Sequence, residues 1–470
     1  MGILDFDRAI DSTFSTALGL TAKMVGIVAS GTFSAVRNAA ASFQDGRRIK
    51  RTALASKNNR RVWLSSSVNK QELHINDDPY FDDTETIRDE NNEPALGYIA
   101  GESELPESII ISGGTNEDRS KALIPFVLKS QNNSMPIVVI HDSDSVLESM
   151  ITSCCKVCEL VSRDESYCDI FAGLIPDDIV SLICYTIGDD KLKEGTEPLL
   201  YALVNVVLTR RPEACIEDMA SFPLDKLRDE INSLKTLGVL KDSEYSAWSV
   251  DYDAGSKAKD FVRSFLKRLN TDFKSIFGEE KPKRSHIKRT LNNKGVVMID
   301  IGKCNAELAV KLLMNYLLLL DKNNHAFNII IDDLPISRFP EFSDLLRDRV
   351  YAVSHSDFIA SLSLSRSKNN HENNSEELFM DLTRDAGLVA VFRHNSMVSC
   401  RKWSEYFGTY RKIKVQREHT RSGGWLNYSR SDSLSEHEQD LPRVREASIS
   451  RLPSGTACVY RSEGIFIGSI

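Results

Sequence analysis

The tightest constraint on this chain lies between residues 108 and 140. An apolar run, Ser108-Ile109-Ile110-Ile111, meets a glycine pair, Gly113-Gly114. A helical pattern around Ala122 to Lys129 follows, and then a second apolar run, Pro136-Ile137-Val138-Val139-Ile140. Strand, glycine turn, helix and strand in that order is the βαβ signature of a parallel sheet. An α/β fold with a mostly parallel sheet is therefore expected.

The character of the chain changes from about Ile175 to Gly278. Leu199, Leu200, Leu203, Val204 and Val207 fall at helical spacing, as do Leu224, Leu227, Ile231 and Leu234, and then Phe261, Val262, Phe265 and Leu269. This predicts an all-α insertion between strands. Strand and helix alternate again from Gly295: a strand to Asp300, a helix over Ala306 to Leu320, and Phe327-Asn328-Ile329-Ile330-Ile331-Asp332-Asp333. Further strands are expected at Phe358 to Leu364, Gly387 to Phe392 and Tyr410 to Val415, with a closing hairpin over Gly455–Tyr460 and Gly464–Ile467. The predicted organisation has a helical, basic N-terminal region over 1–75 and an acidic linker over 76–107. The first part of the core spans 108–174, the all-α insertion 175–290 and the second part 291–470, with a flexible polar loop over 418–440.

The segment Gly113-Gly114-Thr115-Asn116-Glu117-Asp118-Arg119-Ser120 reads as a damaged phosphate-binding loop. An intact loop, G-x-x-x-x-G-K-[ST], needs two glycines so that backbone N–H groups converge on phosphate, a Lys for the β/γ-phosphates and a hydroxyl for Mg²⁺. Gly113, Gly114 and Thr115 supply the turn, Arg119 stands for the Lys and Ser120 for the hydroxyl, but Asp118 replaces the second glycine. A non-Gly residue held at positive φ costs about 1–2 kcal/mol. A carboxylate about 4 Å from a phosphate charge adds roughly 4 kcal/mol at an effective dielectric near 20. Together these remove about a thousandfold in nucleotide affinity. The strand ending in Asp332-Asp333 has the form of a Walker B strand: Asp332 stands where a carboxylate holds Mg²⁺, and Asp333, one methylene short, stands where a Glu orients water.

The order of these motifs resembles the type IV secretion coupling proteins of the TraG/TraD class, within the RecA-like P-loop ATPases. The resemblance runs from about Pro94 to the C-terminus. It rests on Ser108 to Leu128 with Ile124-Pro125, on Pro136 to Asp142, on the helical insertion, on Asp332-Asp333 and on Arg451-Leu452-Pro453-Ser454-Gly455-Thr456-Ala457. Arg349 sits near where that family carries an arginine, and Phe358 to Ser365 resembles a strand that normally ends in a sensing Gln. The resemblance implies a ring-forming, membrane-linked ATPase that recruits DNA or protein substrates to a secretion channel. The phosphate loop, the acid after Walker B and the missing Gln all depart from it. The expectation is a non-hydrolysing relative, a pseudo-ATPase that keeps an assembly or recruitment role beside other protein subunits, in a homo- or hetero-oligomer with DNA as a candidate substrate. No cofactor is expected, or ATP and Mg²⁺ if the loop functions. Two other readings stay open: an active translocase with an unorthodox loop, and an unrelated cytoplasmic α/β interaction protein.

Composition narrows the rest. A net charge of −8 argues against a protein coated in positive charge for wrapping nucleic acid, though it allows a local basic channel. The basic run Lys281, Lys283, Arg284, His286, Lys288 and Arg289 is the candidate nucleic-acid contact. It lacks interleaved aromatic residues, so a solvated loop is the stronger reading. Nine cysteines without framework spacing suit a reducing compartment, and the cluster Cys154, Cys155 and Cys158 lacks the second paired half a zinc site needs. His355, His371 and His394 read as surface or packed residues. Residues 16–36 are too interrupted for a spanning helix and suit an amphipathic one, packed on protein or lying on a membrane; the chain is then cytoplasmic, or peripheral at the inner face of the cell membrane.

Overall fold

The structure is a computed structural model. It describes residues 62–64 and 108–469, apart from 280–282, 303–305, 324, 337–340, 347–348, 364–370, 423–428 and 462–463. The amphipathic segment 16–36, the acidic linker 76–107, Lys281 and Ser365 lie outside the described residues. The chain divides into two compact units, one of Arg61–Gly408 with Pro442–Ile470 and one that includes Thr409–Leu441.

The larger unit opens with β1 (Val62–Leu64), β2 (Ser108–Ser112), α1 (Asn116–Asn132), β3 (Ile137–His141), α2 (Ser145–Cys154) and β4 (Cys158–Val161). Helices α3 (Pro176–Ile187), α4 (Thr196–Arg210), α5 (Ile216–Ser221), α6 (Leu227–Thr236), α7 (Asp242–Gly255) and α8 (Lys259–Phe277) come next with no strand among them. The chain then returns to the sheet through α9 (Ile287–Asn292), β5 (Val296–Asp300), α10 (Glu307–Lys322), β6 (Asn328–Asp332), α11 (Glu341–Leu346) and β7 (Tyr351–His355). It continues through α12 (Phe358–Ser363), α13 (His371–Asp385), β8 (Leu388–Val391) and α14 (Met397–Tyr406). The smaller unit holds β9 (Thr409–Ser422) and β10 (Ser429–Pro442), paired as a two-stranded sheet. Helix α15 (Glu446–Ser450) and strands β11 (Thr456–Arg461) and β12 (Gly464–Ser469) complete the larger unit.

The strands of the larger unit form one ten-stranded sheet in the order β1-β12-β11-β8-β2-β7-β6-β3-β5-β4. Strand β11 runs antiparallel to both of its neighbours, and every other pairing is parallel. Because successive side chains in a strand face opposite ways, the sheet builds two cores. Ile110, Val138, Ile140, Val297, Ile299, Ile329 and Ile331 face one side, where the buried layer continues through α10 into the insertion helices. Ile109, Ile111, Val139, Met298 and Ile330 face the other, under Leu123 and Phe126 of α1 and Leu147 and Ile151 of α2. In the insertion, Leu199, Leu203 and Val207 recur at helical spacing and are buried, as are Val262, Leu266, Leu269 and Phe273. This is an α/β fold with a mostly parallel sheet and an all-α insertion, and the C-terminal hairpin is present.

Three expectations need correction. Phe358–Ser363 is a helix, and the strand of that region is the preceding Tyr351–His355. Both stretches are apolar, and runs this short do not separate helix from strand by periodicity. The polar stretch 418–440 is β-structure apart from residues 423–428, which lie outside the described residues. A two-stranded ladder is held by backbone pairing and needs no apolar alternation to announce it. Residues 62–64, inside the expected helical region, are a strand paired in parallel with β12.

Candidate functional site at the C-terminal edge of the sheet

The expected site residues meet where the parallel strands end. Ser112 lies beside His355 in the β2–β7 register, Ser354 beside Asp332 across β7–β6, Asp332 beside His141 across β6–β3, and His141 beside Asp300 across β3–β5. Polar residues at the last position of neighbouring strands thus form one row along this edge.

The turn after β2 is shorter than a phosphate loop. Thr115 is the N-cap of α1, and the helix begins at Asn116. The Asp118 carboxylate accepts the Thr115 N–H at 2.9 Å and the Thr115 hydroxyl at 2.9 Å, while the Asp118 N–H donates back to that hydroxyl at 3.2 Å. This is a capping box, which satisfies helix-terminal N–H groups reciprocally. Asp118 is therefore helical, and the backbone strain expected of it does not arise. Thr-x-x-Asp ahead of an apolar run is itself a helix-start signal, so the letters that resemble a degraded loop also spell the cap.

Several N–H groups of this turn already have protein partners. Gly113 donates to the His355 carbonyl at 3.0 Å, Gly114 to the Arg393 carbonyl at 3.1 Å and Arg119 to the Thr115 carbonyl at 3.1 Å. Gly113 is glycine for two reasons. Its φ is +84°, and a Cβ there would sit 2.8 Å from the Arg393 carbonyl oxygen and 2.9 Å from His394 Nε2.

Arg119 turns inward. Its side chain is 1% exposed; Nη2 donates to Asp333 Oδ2 at 3.2 Å and to Asn116 Oδ1 at 3.0 Å, Nη1 donates to the Gly114 carbonyl at 3.4 Å, and Nε lies 3.6 Å from Asp332 Oδ1. Asp332 is as deeply buried as Arg119. Burial pushes its carboxyl up to about 7, even with the Arg119 charge beside it. Asp333 is a non-glycine residue at φ +55°. Burial works to raise its carboxyl, but the Ser356 N–H, the Arg119 charge and His355 outweigh that and hold it below the usual range. Its Oδ1 accepts the Ser356 N–H at 2.9 Å and the Ser356 hydroxyl at 2.7 Å, and lies 3.4 Å from His355 Nδ1. Among the described residues, the buried Ser120 hydroxyl and both Asp332 carboxylate oxygens have no hydrogen-bond partner.

Two histidines belong to this edge although their sequence neighbourhoods gave no sign of it. His394 Nε2 lies 3.0 Å from the Ser112 hydroxyl, whose oxygen also accepts the Phe358 N–H at 3.3 Å. His355 accepts the Asp357 N–H at Nδ1, 2.9 Å away. Burial pushes both rings below the usual histidine range, so each is neutral near pH 7. Only the sheet register brings them beside Gly113 and Asp333.

Other candidates lie elsewhere. Arg349 precedes β7, whose first residue pairs with Ser108 at the start of β2, so it sits at the opposite edge of the sheet from Asp332. There it pairs with Asp321 at 2.8 Å and lies over the Phe327 ring. In the basic run, Lys283 pairs with Glu165 at 3.3 Å, and Arg284 pairs with Asp169 at 3.0 Å while donating to the Glu213 carbonyl. Lys288 donates to the Gly173 carbonyl at 3.4 Å, and Arg289 is exposed. Cys154 ends α2 and Cys158 opens β4, and among the described residues no group of three or more His, Cys, Asp or Glu is arranged to hold a metal ion. No helix among the described residues is long and apolar enough to cross a membrane.

No protein-family model matches the sequence, and no curated protein matches it. Among solved structures, the chain is similar to the bacterial conjugative coupling protein TrwBdeltaN70 in its unbound form. They are 12% identical over 78% of this chain and 84% of that one, with a TM-score of 0.46. The plasmid coupling protein TrwB in complex with ADP and Mg²⁺ is 12% identical over 77% and 85%, with a TM-score of 0.44. VirB4 of Thermoanaerobacter pseudethanolicus is 9% identical over 78% and 89%, with a TM-score of 0.38.

Proposed function

We propose that this chain is a coupling-protein-like subunit of a secretion, conjugation or mobile-element complex that acts in assembly or substrate recruitment and does not hydrolyse ATP. The coupling-protein half of the reading rests on the order of sequence motifs around the α/β core and its helical insertion. The non-hydrolysing half rests on one observation above all, the Arg119 guanidinium held between Asp332 and Asp333. A nucleotide with Mg²⁺ would need those carboxylates free. It would also need the N–H groups of Gly113, Gly114 and Thr115, each of which already donates to a protein oxygen. Breaking a buried ion pair by taking one partner away costs about 3–5 kcal/mol, and each hydrogen bond given up adds about 1 kcal/mol. The residues present therefore do not fit a nucleotide–Mg²⁺ complex. What the edge does instead is mechanical: the guanidinium ties the first turn of α1 to the end of β6 and closes the turn after β2 against residues 393 and 394.

Calorimetric titration of the whole chain with ATP, with and without Mg²⁺, tests this. No binding up to millimolar nucleotide, and no phosphate release above buffer, is the expected result. Micromolar affinity, with turnover that disappears on Asp332→Ala, would establish the active-translocase reading in its place.

A further inference from the structure

The basic run has a second aspect. A cleft of about 470 Å³ lies where the chain leaves the sheet for the helical insertion and where it returns, away from the edge that carries Asp332. Its walls come from Asp169 to Gly173 on one side and from His286 to Asn293 on the other, with Tyr316 of α10 between them. The two walls are stitched together before any ligand arrives. Tyr167 N–H donates to the Lys283 carbonyl at 3.0 Å, Ser285 N–H to the Tyr167 carbonyl at 2.8 Å, and Asp169 N–H to the Ser285 hydroxyl at 2.9 Å. Glu159 fixes α9 from below by accepting the His286 N–H and the Thr290 hydroxyl.

The polar groups of the cleft are unbalanced toward donors. Its one lining carboxylate, Asp169, is neutralised by Arg284 at 3.0 Å. Lys288, which donates to the Gly173 carbonyl, and Arg289 pair with no carboxylate among the described residues, and the side-chain amides of Asn292 and Asn293 can donate as well as accept. The field shows at His325, which is pushed below the usual range first by burial and then by the Lys288 charge. Beneath these donors Ile287 and Tyr316 form an almost wholly buried floor, and Ala172 is half-buried beside it. An apolar-walled pocket of a few hundred Å³ with a few convergent polar groups is the usual form of a small-molecule site. A phosphomonoester matches the donor excess better than a carboxylate, because it carries about −1.5 to −2 charge and three acceptor oxygens.

We infer that this cleft is a binding site for a small phosphomonoester with a flat or apolar body, held by the charged ends of Lys288 and Arg289 at its phosphate and by Ala172 and the aliphatic stems of those two side chains at its body. Such a ligand bridges the segments that enter and leave the helical insertion, so its occupancy stiffens that junction. The site is independent of whether the Asp332 edge binds nucleotide.

Phenyl phosphate is the probe, titrated calorimetrically into the whole chain, with inorganic phosphate and phenol as its two halves. One-to-one binding is expected, tighter than either half by about tenfold or more. Lys288→Gln and Arg289→Gln should each weaken it about tenfold, the loss of one charge-assisted contact. Arg289 is exposed, so its substitution keeps the fold even if Lys288→Gln does not. The inference is overturned by no heat at millimolar probe. It is also overturned by binding no tighter than that of inorganic phosphate, or by binding that Arg289→Gln leaves unchanged.

Discussion

Arg119 and Asp332 share an interior that also receives part of Asp333, so one cation serves two acids. The two acids respond oppositely. Asp333 sits below its ordinary range and adds stability at neutral pH that fades as pH falls through its folded value. Asp332 moves from an ordinary 3.8 to about 7, so the folded state binds its proton more tightly than the unfolded state does. Its contribution is whole below pH ~4 and is lost as pH climbs through about 7. Asp332→Asn keeps the shape and removes the titration. Urea denaturation between pH 4 and 8 should therefore show a flatter profile for Asp332→Asn, with higher stability than the parent at pH 8. A parent profile that the substitution leaves unaltered would show that Asp332 is ionised and well paired throughout.

At the scale of elements, the first turn of α1 decides between a loop that receives phosphate and a helix that closes on itself. Thr115→Ala removes the N-cap hydroxyl and should cost about 1 kcal/mol in urea denaturation. Asp118→Asn should cost less, because an amide oxygen can still accept from Thr115. If the segment were instead a strained open loop, both substitutions would be neutral or stabilising. The same turn shows where sequence reading succeeds and where it stops. The strands at Ser108 and Val296, the helix after Ala306 and the acid at Asp332 were legible because their apolar periods are local. Thr115 to Ser120 resembles a phosphate loop, and the same letters also form a capping box. His355 and His394 gained their places only through pairing between strands far apart in sequence, which no local window contains. Two short apolar runs stand side by side at Tyr351–His355 and Phe358–Leu364, and no local period separates them; Tyr410 to Val415 announces the start of β9, while β10 carries no apolar alternation.

At the scale of the whole molecule, the sheet keeps its polar row and its glycine turn at one edge, with Arg349 at the other. Arg349 holds Asp321 and covers Phe327, which makes it a packing residue within this chain. The helical insertion shares a continuous apolar layer with one face of the sheet, so the phosphomonoester cleft sits at the foot of a joint already packed on one side.

Strand β1 is three residues long, yet it lies along Ile465, Phe466 and Ile467 of β12. Sheets with a bare, apolar outer strand recruit further strands from other molecules, and proteins suppress this by covering or charging that strand. Val62–Leu64 is such a cover. Removing residues 1–75 as though they were a detachable arm would uncover the outer edge of β12 at Ile465–Ile467, leaving it paired on its inner side alone, with β11. A chain beginning at residue 76 should elute as larger, concentration-dependent species in size-exclusion chromatography with light scattering, while one beginning at residue 58 should match the full chain. If both shortened chains behave as the full chain does, β1 is dispensable as a guard against self-association.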